Sequence, residues 1–280
     1  RSPFTDYRSR ITMPTIQANG IQLYYEQHGW DKPSEVLALS NGILMSTASW
    51  AYQTPLLSQH CRLLLYDCRG MWQSEHPQGP YSMAQHADDL AALLHALGVE
   101  RAHIGGISYG AEISLVFALR YPERTRSLLL SSAVSQVDPL LRAMMDSWIA
   151  AARARDPDLL FQVTLPVNFS ERWIAANPTA LAAARERYRQ LDMDAFLELL
   201  LSFSQLDVTA DLHRISAPAL VMVGEEDILK PRKYAEIIAR ELPNGELAII
   251  PHAGHAVLWE QAGVFNSLIL GFLAKQSGNR

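Results

Sequence analysis

Gly106-Ile107-Ser108-Tyr109-Gly110 sets a serine between two glycines, each two positions away. A serine in a tight strand-to-helix turn leaves the favoured backbone regions, and side chains two residues either side would collide, so small neighbours are required. Its hydroxyl is a weak nucleophile at neutral pH. Attack on a carbonyl therefore needs an imidazole to take the proton and a carboxylate to hold that imidazole. Of nine histidines, His255 in Pro251-His252-Ala253-Gly254-His255 stands just after the last strand-like run, where a base following the acid in chain order belongs. His252 competes with it. Gly254 favours His255, because a glycine there lets the loop turn the ring back. Gly224-Glu225-Glu226-Asp227 offers three carboxylates after a buried run. Asp227 is preferred because it lies furthest into the loop, while Glu225 and Glu226 serve equally well as solvated charges.

A tetrahedral intermediate also needs two N–H donors for its oxyanion. Tyr109, directly after the serine, supplies one. Ser40-Asn41-Gly42-Ile43 offers the other at Ile43, with Asn41 orienting the loop. Met45, Trp50, Met71, Trp72, Leu229 and Val257 form a candidate apolar lining for an acyl chain, against ordinary core packing as the alternative for each. His86 and His95, on a helical stretch, read as surface or partly buried side chains.

These groups are far apart in sequence, so the elements between them must bring them together. Ile21 to His28 alternates as a half-buried antiparallel strand, preceded by the hairpin signal Asn19-Gly20. Val36 to Leu39, Leu63 to Tyr66, Ala102 to Ile107 and Ser127 to Leu130 are short apolar runs of buried parallel strands. Met83 to Leu97 has helical spacing, with Ala87, Leu90, Leu94 and Leu97 on one side and Asp88 and Asp89 facing water. Such alternation implies an α/β fold, a mostly parallel central sheet with helices on both faces.

The rhythm stops near Ser135. Helices are then expected over Pro139 to Arg155, Phe169 to Ala176, Thr179 to Leu191 and Asp194 to Phe203, broken at Asp156-Pro157, Pro166 and Asn177-Pro178. This is an inserted helical cap over 135–213, between core segments 13–134 and 214–280. Strands resume at Ala219 to Val223 and Glu246 to Ile250 around a helix from Pro231 to Leu242, and one last helix spans Val257 to Ala274.

The 280 residues, 49% hydrophobic, can bury one large core plus the insertion. A net charge of −5, without a basic stripe, argues against nucleic acid or anionic lipid as partner. No run reaches the roughly 18 to 20 apolar residues needed to span a bilayer. Residues 1–12 carry three arginines ahead of Met13-Pro14 and read as an added leader. Cys61 and Cys68 flank a strand-like run that holds them about 20 Å apart, which excludes a disulfide between them. Two free thiols fit a reducing, cytoplasmic compartment. No metal site or cofactor is expected, and a monomer and a homodimer are both open.

With those residues assembled, the chain resembles the α/β-hydrolase superfamily over nearly all of residues 14–275. Asp67-Cys68-Arg69-Gly70-Met71-Trp72-Gln73-Ser74 is similar to the family's D-x-R-G-x-G-x-S loop, and Tyr121-Pro122-Glu123-Arg124 to its Y-P-E-R-V helix end. Two departures stand out. Asn41-Gly42 replaces the usual His-Gly, and Trp72 replaces a small residue. Asn41-Gly42 with Thr47-Ala48-Ser49-Trp50 also resembles bacterial 3-hydroxyacyl transferases over a short stretch. The resemblance implies an acyl-enzyme on Ser108. Members that use a nucleophilic aspartate for epoxide or haloalkane chemistry are disfavoured, because serine holds that position.

A carboxylic-ester hydrolase acting on small to medium acyl chains is therefore expected, with a small-molecule ester as partner. An acyltransferase from thioester to alcohol or thiol is the alternative, and a ligand-binding receptor with a vestigial triad is a third.

Overall fold

The computed structural model describes residues 14–278. The chain opens with a hairpin, β1 (Thr15–Ala18) and β2 (Ile21–His28), turning at Asn19 and Gly20, which both take positive φ. This is the two-residue turn whose twist suits antiparallel strands. There follow β3 (Val36–Ser40), α1 (Thr54–His60), β4 (Arg62–Tyr66), α2 (Met83–Ala96), β5 (Ala102–Ile107), α3 (Tyr109–Arg120) and β6 (Thr125–Ser131). Five consecutive helices come next: α4 (Pro139–Arg153), α5 (Pro157–Asn168), α6 (Glu171–Ala176), α7 (Pro178–Tyr188) and α8 (Met193–Phe203). The chain then returns through β7 (Ala219–Gly224), α9 (Arg232–Glu241), β8 (Gly245–Ile250), α10 (Val257–Glu260) and α11 (Ala262–Gly278).

The eight strands form one sheet in the order β1-β2-β4-β3-β5-β6-β7-β8. The β1–β2 and β2–β4 pairs are antiparallel and every pair from β4–β3 to β7–β8 is parallel. Parallel neighbours need crossovers, and the helices that make them cover both faces. Strand alternation divides the core in two. Ala38, Leu64, Ile104, Leu128 and Val221 face the side packed by α2, α3 and α9. Leu37, Leu39, Leu63, Leu65, Leu129, Leu220 and Met222 face the other side, against α1 and α11. Each fully buried Leu or Val contributes about 1.5–3 kcal/mol relative to an exposed one.

Three expectations need correction. Asp89 does not face water: it is buried, accepting from Arg69 Nε at 2.8 Å and Nη2 at 2.7 Å and from Asn19 Nδ2 at 2.7 Å. A carboxylate so enclosed survives because those donors replace its hydration. The break at Asp156-Pro157 is there, but it opens a further helix, α5, where none was expected. Asp156 accepts from Leu159 N–H at 2.9 Å, Pro157 occupies the first turn where its missing N–H costs nothing, and Pro166 falls in the last turn of α5. The final helix is two, parted at Gln261.

The proposed leader lies outside the described residues. Cys61 and Cys68 are buried free thiols. Among the described residues no helix is long and apolar enough to cross a membrane.

Candidate active site

Ser108 sits at the carboxyl end of β5, in the single turn that leads into α3, with φ 53° and ψ −123°. Its N–H donates to Ser131 O at 2.8 Å, anchoring the strained residue to the end of β6. The glycines are there for space. A Cβ at Gly106 would come 2.7 Å from Ser40 O, and one at Gly110 would collide with the same carbonyl. The loop after β3 thus packs directly on the turn. Tyr109 opens α3, so its N–H belongs to the helix's unpaired first turn. Ile43 borders both clefts that reach Ser108.

The loop after β3 is fixed by Asn41, which is fully buried. Asn41 Nδ2 donates to Asp67 Oδ1 at 3.0 Å and Asn41 Oδ1 accepts from Trp50 Nε1 at 2.8 Å. Asp67 also accepts from Thr47 N–H at 2.8 Å and Gln73 N–H at 3.1 Å, while burial pushes its carboxyl up to about 7.

Asp227 and His255 meet across the ends of β7 and β8. His255 Nδ1 lies 2.8 Å from Asp227 Oδ2, and the two residues are 6% and 3% exposed. Asp227 Oδ1 accepts the Lys230 N–H at 2.8 Å. The two loops are joined by backbone bonds: Glu225 N–H to Ile250 O at 2.9 Å and Glu226 N–H to Ala253 O at 2.8 Å. Ser132 Oγ donates to His255 O at 3.1 Å, tying the histidine to the end of β6.

The competing groups point elsewhere. Glu225 and Glu226 are exposed, and His252 is exposed with Nδ1 3.9 Å from Glu226. Positive φ falls on His252 (58°) and not on Gly254. Gly254 is required by close packing instead, since a Cβ there would come 2.6 Å from Ser170 N.

Ser108 and His255 line a common cleft with Gly42, Ile43, Met45, Ile107, Ala256 and Leu258. The insertion supplies Phe161, Leu165 and Asn168 from α5, Phe169 just after it, and Arg187 and Tyr188 from α7, and α10 adds Trp259. Of the apolar residues singled out in the sequence, Met45 borders this cleft and Leu229 borders a second one. Trp50 and Val257 do not. Both are fully buried: the Trp50 indole N–H is taken by Asn41, and Val257 packs in the core beside Leu258, which, unlike Val257, also reaches the cleft wall with Ala256. Met71 and Trp72 line a separate hollow under α8 that Ser108 does not reach.

The second cleft holds two charged groups that sequence reasoning missed. Lys230 Nζ lies 3.1 Å from Ser108 Oγ and 2.9 Å from both carboxylate oxygens of Glu112. Burial pushes the Glu112 carboxyl up, against the opposing pull of the Lys230 ammonium and of the Val134 N–H, which donates at 2.9 Å. A signal existed. Helix α3 is buried from Tyr109 through Ala118, and one glutamate in so apolar a helix demands a cation. His86 also proves buried, its Nε2 2.8 Å from Tyr109 Oη.

Strained serine, covered parallel sheet and inserted helices together define a hydrolase of α/β architecture. The chain belongs to the alpha/beta hydrolase fold family, whose model matches residues 35–262. It is 31% identical over 264 residues to RutD of Stutzerimonas stutzeri (strain A1501), whose name carries a provisional carbamate-hydrolase activity, spanning 91% of this chain and 98% of that one. The enol-lactonase of Burkholderia xenovorans LB400 superposes with a TM-score of 0.88 at 26% identity, over 93% of this chain and 100% of that one. A thermophilic esterase from Thermogutta terrifontis, solved with malate bound, gives 0.85 at 26% identity, over 96% and 99%.

Proposed function

We propose that this hydrolase cleaves carboxylic esters of small to medium acyl chains through an acyl-enzyme on Ser108. The observation that carries the reading is His255 Nδ1 held 2.8 Å from buried Asp227, in a ring that shares a cleft with the strained Ser108. With Nδ1 committed to the carboxylate, Nε2 is the nitrogen left to accept the serine proton. The hydroxyl oxygen bonds to the ester carbon, and the carbonyl electrons move to an oxyanion facing the N–H groups of Tyr109 and Ile43. His255 returns the proton to the departing alcohol. Water, deprotonated by the same imidazole, then releases the acid.

The apolar walls from Phe161, Leu165 and Phe169 suit a hydrocarbon chain better than a charged one. An enol-lactonase and an esterase among the relatives support ester carbonyls, since a lactone is a cyclic ester. The name of RutD makes carbamates the comparison to include. Ser108→Ala should lower turnover of a short p-nitrophenyl ester by a factor on the order of 10⁴ or more. A panel of esters, lactones and carbamates of graded length, assayed with both proteins, tests the substrate class. Retained esterase activity in Ser108→Ala, or turnover confined to carbamates, overturns the reading.

A further inference from the structure

We infer that Lys230, held by Glu112, is a catalytic residue that donates a hydrogen bond to Ser108 Oγ while the acyl bond forms and breaks. The inference rests on the ester-hydrolase reading and extends it beyond the serine, histidine and aspartate. Lys230 is 3% exposed and Glu112 is not exposed at all, so neither is a surface charge. Enclosing an ion pair is costly unless geometry and hydrogen bonds compensate, and a structural need for charge at this depth is hard to find. The surrounding wall of Leu141, Met145, Trp148, Leu200 and Phe203 is apolar. Phe203 even presents its ring 4.7 Å from Nζ, which stabilises the ammonium without neutralising it.

The pair is aimed. Glu112 takes two of the ammonium's directions, with both oxygens at 2.9 Å, and Ser108 Oγ lies 3.1 Å along another. Both residues come from elements that define the site: Glu112 is four residues after the nucleophile on α3, and Lys230 is three after Asp227 in the same loop. The Lys230 N–H to Asp227 Oδ1 bond links the position of the ammonium to that of the acid.

In acylation His255 removes the Ser108 proton as the Oγ–C bond forms. Lys230 keeps all its protons and faces the negative charge that grows on Oγ before that bond is complete. In deacylation water adds to the acyl carbon, the C–Oγ bond breaks, its electron pair returns to Oγ, and His255 supplies the proton. The same ammonium therefore assists Oγ as nucleophile and as leaving group, as microscopic reversibility requires. A fixed donor in a water-poor site is worth far more than one in solvent.

The test uses the full chain. Lys230→Met alone leaves Glu112 without its cation, so the primary variant is Lys230→Met/Glu112→Gln, which removes both charges together and spares the fold an unpaired one. Kinetics on a short p-nitrophenyl ester are run beside thermal melting and intact-mass detection of acylated protein. The expected result is a drop in kcat/KM of about 10²–10³-fold with a melting temperature near that of the parent, since losing one aligned donor costs about that much. Because both half-reactions lose the donor, kcat and kcat/KM should fall together with KM near that of the parent and no extra acyl-enzyme in the mass spectrum, a pattern that a loosened, purely structural pair would not give. Activity within about threefold of the parent overturns the inference. Ser108→Ala run in parallel separates the two failures: activity lost there but kept in the double variant removes only the role of Lys230, whereas activity kept in Ser108→Ala removes the hydrolase mechanism itself.

Discussion

Arg187, on α7 of the insertion, lays its guanidinium carbon 3.7 Å from the centre of the Trp72 ring, in the loop after β4. Arg187 Nη2 also donates to Ser46 Oγ at 2.5 Å. One side chain therefore joins the inserted helices to two core loops at the edge of the cleft it helps to line. Trp72 holds this place at a positive φ of 46°, where a non-glycine residue costs about 1–2 kcal/mol. A glycine here would avoid that strain, but it would offer the guanidinium no ring.

A double-mutant cycle measures the link. Arg187→Ala and Trp72→Ala should each lower stability in urea unfolding, with a coupling of about 0.5–2 kcal/mol, the range of a cation–π contact that is partly shielded from water. Arg187→Ala should also raise KM for a longer acyl ester, because the guanidinium forms part of the cleft wall. Strict additivity of the two stability changes would show that the stacked geometry does not hold the insertion down.

Asp227→Asn offers a cleaner perturbation than truncation. The amide carbonyl can still accept the Lys230 N–H, so the loop keeps its shape. The amide NH₂ then faces His255 Nδ1 and selects the tautomer that leaves Nε2 protonated and unable to receive the serine proton. Ester turnover should fall by about 10³–10⁴-fold while melting changes little. Glu225→Gln and Glu226→Gln, at exposed carboxylates of the same loop, should stay within about twofold. A large loss in either would move the role of acid away from Asp227.

Much of this arrangement was legible because it is local. Glycines two positions either side of Ser108, apolar runs of strand length, and a carboxylate loop followed by a histidine loop are patterns a few residues wide. What escaped depends on pairing between distant segments. Glu112 and Lys230 are 118 positions apart, and nothing local in either says they touch. Asp89 looks solvated on its own helix and becomes buried only because Arg69 arrives from the loop after β4. Part of the expected substrate wall was misplaced for another reason. Val257 and Leu258 are both apolar and both pack in the core, and only the register of α10 decides that Leu258 also reaches the cleft wall. Helix α5 was hidden by its prolines, which read as breaks when counted: Pro157 suits the first turn, where its missing N–H costs nothing, and Pro166 removes one N–H from the last turn without ending the helix before Asn168. That helix carries Phe161, Leu165 and Asn168, so missing it removed part of the cleft from view.

Acid should destabilise the protein through His86, which lies against Tyr109 at the start of α3. Burial, aided by the nearby Arg69 charge, pulls this imidazole from its ordinary 6.5 down to about 3. The folded protein thus keeps His86 neutral where the unfolded chain binds a proton. Stability from this group is present in full above about pH 6.5 and declines as pH falls toward 3, with a limiting slope of about 1.4 kcal/mol per pH unit. His103, lowered by burial to about 4, adds to the decline over the same range, so the two are separated by substitution. His86→Gln keeps a polar group toward Tyr109 Oη and removes the titration. Urea unfolding at a series of pH values from 7 to 4 should give the variant a shallower fall in stability than the parent, although it starts from a lower value at neutral pH. Parallel curves would mean that His86 takes up its proton in the folded state as readily as in the unfolded one, and that the contact with Tyr109 opens to water well before the molecule unfolds.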